Sequence, residues 1–413
     1  MKFEEYPIAA EIKRNIEALG YKKPTDIQFK SIPAILNKED VLAIAQTGTG
    51  KTAAFAIPVI HLIHERKRNR AKDAIKCVVM VPTHELAIQI TQVFNSLAKH
   101  TKVKAFALFG GTEQQPQIDK LYQGVDILVA TPGRLFDLRS QGYLDLSDIE
   151  ILVLDEADHM LDLGFIGDIE DLIKFLPKHR QTLFFSATIN EKIKKLAYSL
   201  VHKAIRIQIS PKDPVAKNIQ HAVAHIEMDD KRFFLERVIR ENEGKKMIVF
   251  VRTKVRAERV AAAMQKAGID TLTIHSDKDH KNRTDVMRQF REGKVRVLIA
   301  TDVSARGIDI PNVDFVVNYD LPEVPENYVH RVGRTGRGMQ KGQAVSFCSR
   351  EEEPVLKEIE AFLGKPVVKL AVDQDTREEV LDYTEATKFT IKDVMREILE
   401  AEQTPVKKGK KKK

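Results

Sequence analysis

The chain has 413 residues, 43% of them hydrophobic and 31% charged, with a formal net charge of +8. That length exceeds what one core organises, so two domains are expected. No run approaches the roughly 20 apolar residues of a membrane span, and Met1-Lys2-Phe3-Glu4-Glu5 lacks the apolar core of a signal peptide. A cytoplasmic protein without membrane attachment is expected. The two cysteines, Cys77 and Cys348, sit in strand-like runs with neither metal spacing nor a disulfide framework, which fits a reducing compartment. Six lysines crowd into the last seven residues and leave +2 for the rest of the chain. Such a basic arm suits nucleic-acid phosphate, and a plain solubilising end explains it equally well.

In chain order, the apolar run Val41-Leu42-Ala43-Ile44 leads into Ala45-Gln46-Thr47-Gly48-Thr49-Gly50-Lys51-Thr52 and then an apolar-periodic stretch to Leu62. Strand, glycine-bearing loop and helix make the context of a phosphate-binding P-loop. Backbone N–H groups and the helix dipole favour the phosphates there. Lys51 would reach the β- and γ-phosphates, and the Thr52 hydroxyl would help hold Mg²⁺. Ala45 stands where such a loop usually has its first glycine. Ile151-Leu152-Val153-Leu154 is a second buried strand, followed at once by Asp155-Glu156-Ala157-Asp158. At its C-terminal edge Asp155 can hold Mg²⁺ through water, and Glu156 can orient or deprotonate the attacking water. Together the two halves predict chemistry on a nucleoside triphosphate.

Short apolar runs alternate with helical patterns at 78–81, 106–109, 127–130, 151–154, 183–185 and 205–209. Alternation of this kind predicts a parallel sheet with helices on both faces. Ser210-Pro211-Lys212-Asp213-Pro214 breaks the pattern, which restarts at 223–226, 247–251, 272–274, 295–300, 315–317 and 344–347. The expected division is a first domain over 1–210, a linker over 211–218, a second domain over 219–365 and an extension over 366–413. A helix is expected at 391–402, and the lysine tail is expected to be disordered.

Over roughly residues 1 to 365 the chain resembles the DEAD-box RNA helicases, with nearly every family motif in family order. The resemblance implies two tandem RecA-like, doubly wound parallel-sheet α/β domains joined by a short linker. It implies ATP-dependent, non-processive RNA unwinding or RNP remodelling, with ATP and Mg²⁺ as cofactors. It further implies RNA bound without sequence preference, RNP or protein cofactors as partners, and a monomer. Gly20, Tyr21, Pro24, Thr25, Ile27 and Gln28 resemble the adenine site, with Phe3 stacking on the base. A glutamine amide can pair with adenine N6 and N7, whereas guanine presents two acceptors there. The implied nucleotide contacts are Thr47, Gly48, Thr49, Gly50, Lys51 and Thr52, with Gly307 and Asp309 from the second domain.

Pro82-Thr83-His84-Glu85-Leu86-Ala87, Gly110-Gly111 and Thr131-Pro132-Gly133-Arg134 resemble motifs that grip RNA phosphates through backbone amides, hydroxyls and arginine. Ser186-Ala187-Thr188 resembles the segment coupling the nucleotide and RNA sites, with Asp158 and His330 as partners. Arg252, Thr253, Arg291, Thr301 and Asp302 match further RNA-facing positions. Within His330-Arg331-Val332-Gly333-Arg334-Thr335-Gly336-Arg337, the resemblance makes Arg334 and Arg337 arginine fingers on the γ-phosphate, typically worth ~10³ to 10⁵ in rate. Three departures stand out: His84 replaces an arginine, Ser276 a glycine and His280 a glutamine. Two other readings are open. One is an RNA clamp that binds ATP but hydrolyses negligibly; intact Glu156, Arg334 and Arg337 weigh against it. The other is a DNA translocase, which the adenine motif disfavours.

Overall fold

The computed structural model describes residues 2–46, 48–68, 74–209, 215, 218–278, 280–302, 313–336 and 341–371. Expectations for the linker prolines, the helix at 391–402 and the lysine tail lie outside these residues. The chain divides near residue 211 into two compact units.

The first unit holds seven strands: β1 (Val41–Ala45), β2 (Cys77–Met80), β3 (Ala105–Leu108), β4 (Ile127–Ala130), β5 (Ile151–Leu154), β6 (Gln181–Ser186) and β7 (Ile205–Ile209). All pair in parallel, in the order β3-β4-β2-β5-β6-β1-β7. Central strands of such a sheet are covered on both faces, so they read as unbroken apolar runs. Alternate residues feed two cores. Val41, Ala43, Val79 and Val153 pack on one face with the helices Asp26–Leu36 and Lys51–Arg68. Leu42, Ile44, Val78 and Leu152 pack on the other with Ile169, Leu172 and Leu196.

The second unit repeats this plan with β8 (Ile219–His225), β9 (Met247–Phe250), β10 (Thr271–Ile274), β11 (Val297–Ala300), β12 (Phe315–Asn318), β13 (Gly342–Cys348) and β14 (Val368–Leu370). Its order is β10-β11-β9-β12-β13-β8-β14, also parallel throughout. Counted from the first strand of each unit, the two orders are identical. The sequence pattern weakens after Gly364, yet β14 pairs with β8 there and extends the sheet. Val368 and Lys369 are exposed and only Leu370 is buried, so no apolar run announces this strand.

The topology sorts the motifs. In a parallel sheet every strand ends on the same edge. The segments after β1, β5 and β6, which are neighbours, carry the nucleotide and coupling motifs. The segments after β2, β3 and β4, also neighbours, carry the motifs expected to grip RNA.

Candidate nucleotide and RNA site

Lys51 begins the helix Lys51–Arg68, directly after a loop in which Gly48 and Gly50 have φ of 83° and 91°. Those values lie where L side chains are rarely found, so glycine is required at both positions. Ala45 is the last residue of β1, and its carbonyl accepts from Lys51 Nζ at 2.9 Å. The Thr49 hydroxyl donates to Gln46 O at 2.7 Å and pins the loop. Thr47 lies outside the described residues.

Gln28 is buried and spans two elements. Its Oε1 accepts from Thr25 N at 3.0 Å in a capping box, and its Nε2 donates to Gly50 O at 3.1 Å. One lone pair and one N–H remain for a base. Phe3 is only 5% exposed and packs in the core, its ring 6.3 Å from those of Tyr6 and Tyr21. Tyr21, at 36%, is the open ring of the pair.

Asp155 follows β5 and is 3% exposed, its own N–H bonded to Met80 O at 3.1 Å. Burial pushes its carboxyl up to about 7 against the pull of Lys51, and Glu156 adds to the push. A carboxylate so desolvated is stabilised by any cation brought beside it. This fits a hard divalent ion such as Mg²⁺, which needs one carboxylate when waters and phosphates complete its shell. Among the described residues no group of three or more His, Cys, Asp or Glu side chains offers a protein-only cage. Glu156 sits at φ 53° and ψ 48°, a left-handed conformation uncommon outside glycine. Its Oε2 lies 3.4 Å from His159 Nδ1.

Asp158 supplies the link to β6. Its Oδ2 accepts from Ala187 N at 3.2 Å, Thr188 N at 3.0 Å and Thr188 Oγ1 at 3.1 Å, while Ser186 Oγ donates to Thr188 O at 2.8 Å. The acidic motif and Ser186-Ala187-Thr188 are therefore joined by a buried carboxylate.

The expected RNA residues of the first unit gather on the adjoining edge. Thr83 caps the helix His84–Leu97, accepting from Leu86 N at 3.3 Å. Pro82 precedes it, buried. The His84 ring lies 5.4 Å from that of Phe109, and its Nε2 is 3.9 Å from where a Cβ on Gly110 would stand. Gly111 has φ of 73°. Thr131 N donates to Leu108 O at 3.0 Å, and Pro132 and Gly133 begin the helix Pro132–Ser140. Arg134 Nη2 donates to Thr112 O at 2.9 Å, stitching this helix to the Gly110-Gly111 turn.

In the second unit Thr253 repeats the role of Thr83, capping Lys254–Lys266 by accepting from Arg256 N at 3.2 Å. Arg252 is held by Glu352 and Leu321 O. Thr301 N reaches Ile274 O at 3.3 Å, and Arg291 lies in the last turn of His280–Glu292, its carbonyl accepting from Lys246 Nζ. Asp302 has an internal occupation: both carboxylate oxygens accept from the 2%-exposed Arg331, at 2.5 and 2.8 Å. Sequence reasoning gave Arg331 no role beyond its place in the motif. His330 lies on the same helix, Pro325–Val332, and Arg334 follows it, buried, its N–H bonded to Arg331 O. Gly307, Asp309 and Arg337, and the side chain of His280, lie outside the described residues.

Two family models match: a DEAD/DEAH box helicase over residues 25–196 and a helicase conserved C-terminal domain over 230–339. The chain is 38% identical over 378 residues to the ATP-dependent RNA helicase DbpA of Bacillus subtilis, covering 92% of this chain and 78% of that one. It is 39% identical over 378 residues to RhlB, an ATP-dependent RNA helicase of Shewanella piezotolerans, covering 91% and 86%. Among solved structures, S. cerevisiae Dbp5 bound to RNA and ADP BeF3 aligns with a TM-score of 0.79 at 30% identity, over 92% of this chain and 99% of that one. With both halves of the chain matched and its relatives covered over most of their length, this protein belongs to the DEAD-box family of ATP-dependent RNA helicases.

Proposed function

We propose that the chain couples ATP binding and hydrolysis to local, non-processive separation of RNA strands or remodelling of RNP. The carrying observation is the three-donor grip of Asp158 on Ala187 and Thr188, which ties the segment bearing Asp155 and Glu156 to the one after β6. Gln28 reads the adenine edge with its remaining N–H and lone pair, while Tyr21, the open ring, flanks the base with the buried Phe3 packed behind it. Gly48, Thr49, Gly50 and the N-terminus of the Lys51 helix cradle phosphate. Lys51 neutralises charge on the β- and γ-phosphates. Mg²⁺, held by Thr52 and Asp155, would supply charge neutralisation on the phosphate oxygens. Glu156 orients the attacking water and takes its proton. Arg334 and Arg337 steady the charge that develops on the γ-phosphate.

RNA is gripped along its backbone by the amides and hydroxyls at Thr83, Gly110, Gly111 and Thr131 and by Arg134, Arg252 and Arg291. Backbone contacts of this kind give sequence independence, and 2′-OH contacts would give preference for RNA. A monomer in a reducing cytoplasm suits the two buried, free thiols, whose pKa values burial raises.

Glu156→Gln tests this. It should keep ATP and RNA binding yet lose turnover, because the substituted amide cannot accept the water's proton. Wild-type turnover in that variant would remove Glu156 from the mechanism. A wild-type protein that binds both ligands without RNA-stimulated hydrolysis would instead be a clamp.

A further inference from the structure

The repeat of one strand order in both units places two lysines in the same topological position. Lys51 opens the helix that follows β1, and Lys231 opens the helix Lys231–Glu241 that follows β8. Asp155 follows β5, and Asp320 follows the matching strand β12. The second unit has no glycine-bearing loop before its lysine, and its lysine is closed off. Lys231 is fully buried, and its Nζ donates to Tyr319 O at 2.8 Å, Phe347 O at 3.3 Å and Glu352 Oε2 at 2.5 Å, with Asp320 Oδ1 at 3.9 Å. The carboxylate of Glu352 thus meets this lysine as an anionic phosphate oxygen would meet Lys51.

Glu352 is 3% exposed, and every oxygen is used. Oε2 also accepts from Ser349 N at 3.1 Å and Ser349 Oγ at 3.3 Å. Oε1 accepts from Leu321 N and from Arg252 Nη2, both at 3.1 Å. Asp320 Oδ2 fixes the backbone of the same arginine by accepting from Arg252 N at 2.9 Å, and its Oδ1 accepts from Arg256 Nη1 at 3.0 Å. Three cations, Lys231, Arg252 and Arg256, therefore meet two buried carboxylates. Arg252 is the most exposed of the three, with 36% of its side chain open against 31% for Arg256 and none for Lys231. The nearby Glu323, 3.7 Å from Arg252 Nε, is itself 72% exposed.

We propose that Glu352, seated on Lys231, is a positioning residue that holds the Arg252 guanidinium at the sheet edge for an RNA phosphate. This rests on the reading of Arg252 as an RNA contact. A free arginine side chain samples many rotamers, and one fixed at a single nitrogen loses less entropy on meeting phosphate. Seen only as charge, Glu352 would do the opposite: a carboxylate beside an RNA-binding arginine repels phosphate.

That opposition makes the test decisive. RNA affinity of the full chain is measured with a non-hydrolysable ATP analogue across a salt series, for wild type, E352Q, R252A and the double variant. Positioning predicts that E352Q weakens RNA binding about fivefold to tenfold, the scale of one misplaced charge-assisted contact. It also predicts that the loss vanishes in the R252A background, where the salt slope is already about 0.7 lower. Tighter binding by E352Q would leave only a charge effect and overturn the proposal. So would an equal loss with and without Arg252, which marks a general fold defect. If E352Q does not fold, K231M/E352Q removes the buried pair together and is judged by the same two comparisons. An R252A protein with wild-type affinity and slope would instead retire Arg252 as an RNA contact, whatever Glu352 does.

Discussion

The side-chain nitrogen of Gln28 donates to Gly50 O at 3.1 Å, and a Cβ on Gly50 would stand 2.5 Å from that nitrogen. The residue proposed to read the base and the loop proposed to hold the phosphates are thus in direct contact. Gly50→Ala should cost about 1–2 kcal/mol in backbone strain at φ 91°. It should also push the Gln28 amide off its register, lowering the preference for ATP over GTP in steady-state KM. Unchanged nucleotide preference in a folded Gly50→Ala protein would separate Gln28 from base reading.

The link from Asp158 to Thr188 can be weakened one donor at a time. Thr188→Val removes the hydroxyl bond and leaves the two backbone donors, at a cost of about 1 kcal/mol. ATP turnover should survive while unwinding per ATP falls. Equal losses in both would show a support for the nucleotide site rather than a coupling element.

His61 ties the N-terminal segment down, its Nδ1 accepting from Ala9 N at 3.2 Å. Burial lowers its pKa below 6.5, with Glu65 opposing and His64 reinforcing. The unfolded chain therefore binds the proton first as pH falls. Stability from this contact is complete above about 6.5 and is lost as pH drops from there toward the lower folded-state value. Melting temperature should decline over that acid window, and exchange of the Ala9 amide should quicken. His61→Gln, which keeps an acceptor but cannot titrate, should flatten both profiles; a slope identical to wild type would rule His61 out.

His84 faces the Gly110-Gly111 turn at the edge proposed to bind RNA. Histidine is mostly neutral at pH 7, whereas arginine is permanently charged. His84→Arg should tighten RNA binding in the ATP-bound state and steepen the salt slope by about 0.7. If the ring serves only to pack on Phe109, affinity and slope will match wild type and thermal stability alone will fall.

Apolar runs and motif spacing were enough to read most of both sheets, because strands covered on two faces leave little choice of residue. β14 escaped because two of its three residues are exposed. The nucleotide motifs were legible since a phosphate demands glycine, lysine and a carboxylate at set places along one edge. Lys231, Glu352 and the pairing of Arg331 with Asp302 were not. Each joins residues 29 or more positions apart, and a lone lysine or glutamate in sequence looks like solvated surface.

The left-handed backbone at Glu156 carries a consequence for anyone seeking a hardier form of this enzyme. Glycine at that position would relieve the conformation, and a selection that rewarded heat resistance alone would favour it. With Glu156 in the role proposed for it, the winner would melt higher and hydrolyse nothing. Durability and turnover are set against each other at a single residue, so any such selection must score RNA-stimulated turnover alongside survival.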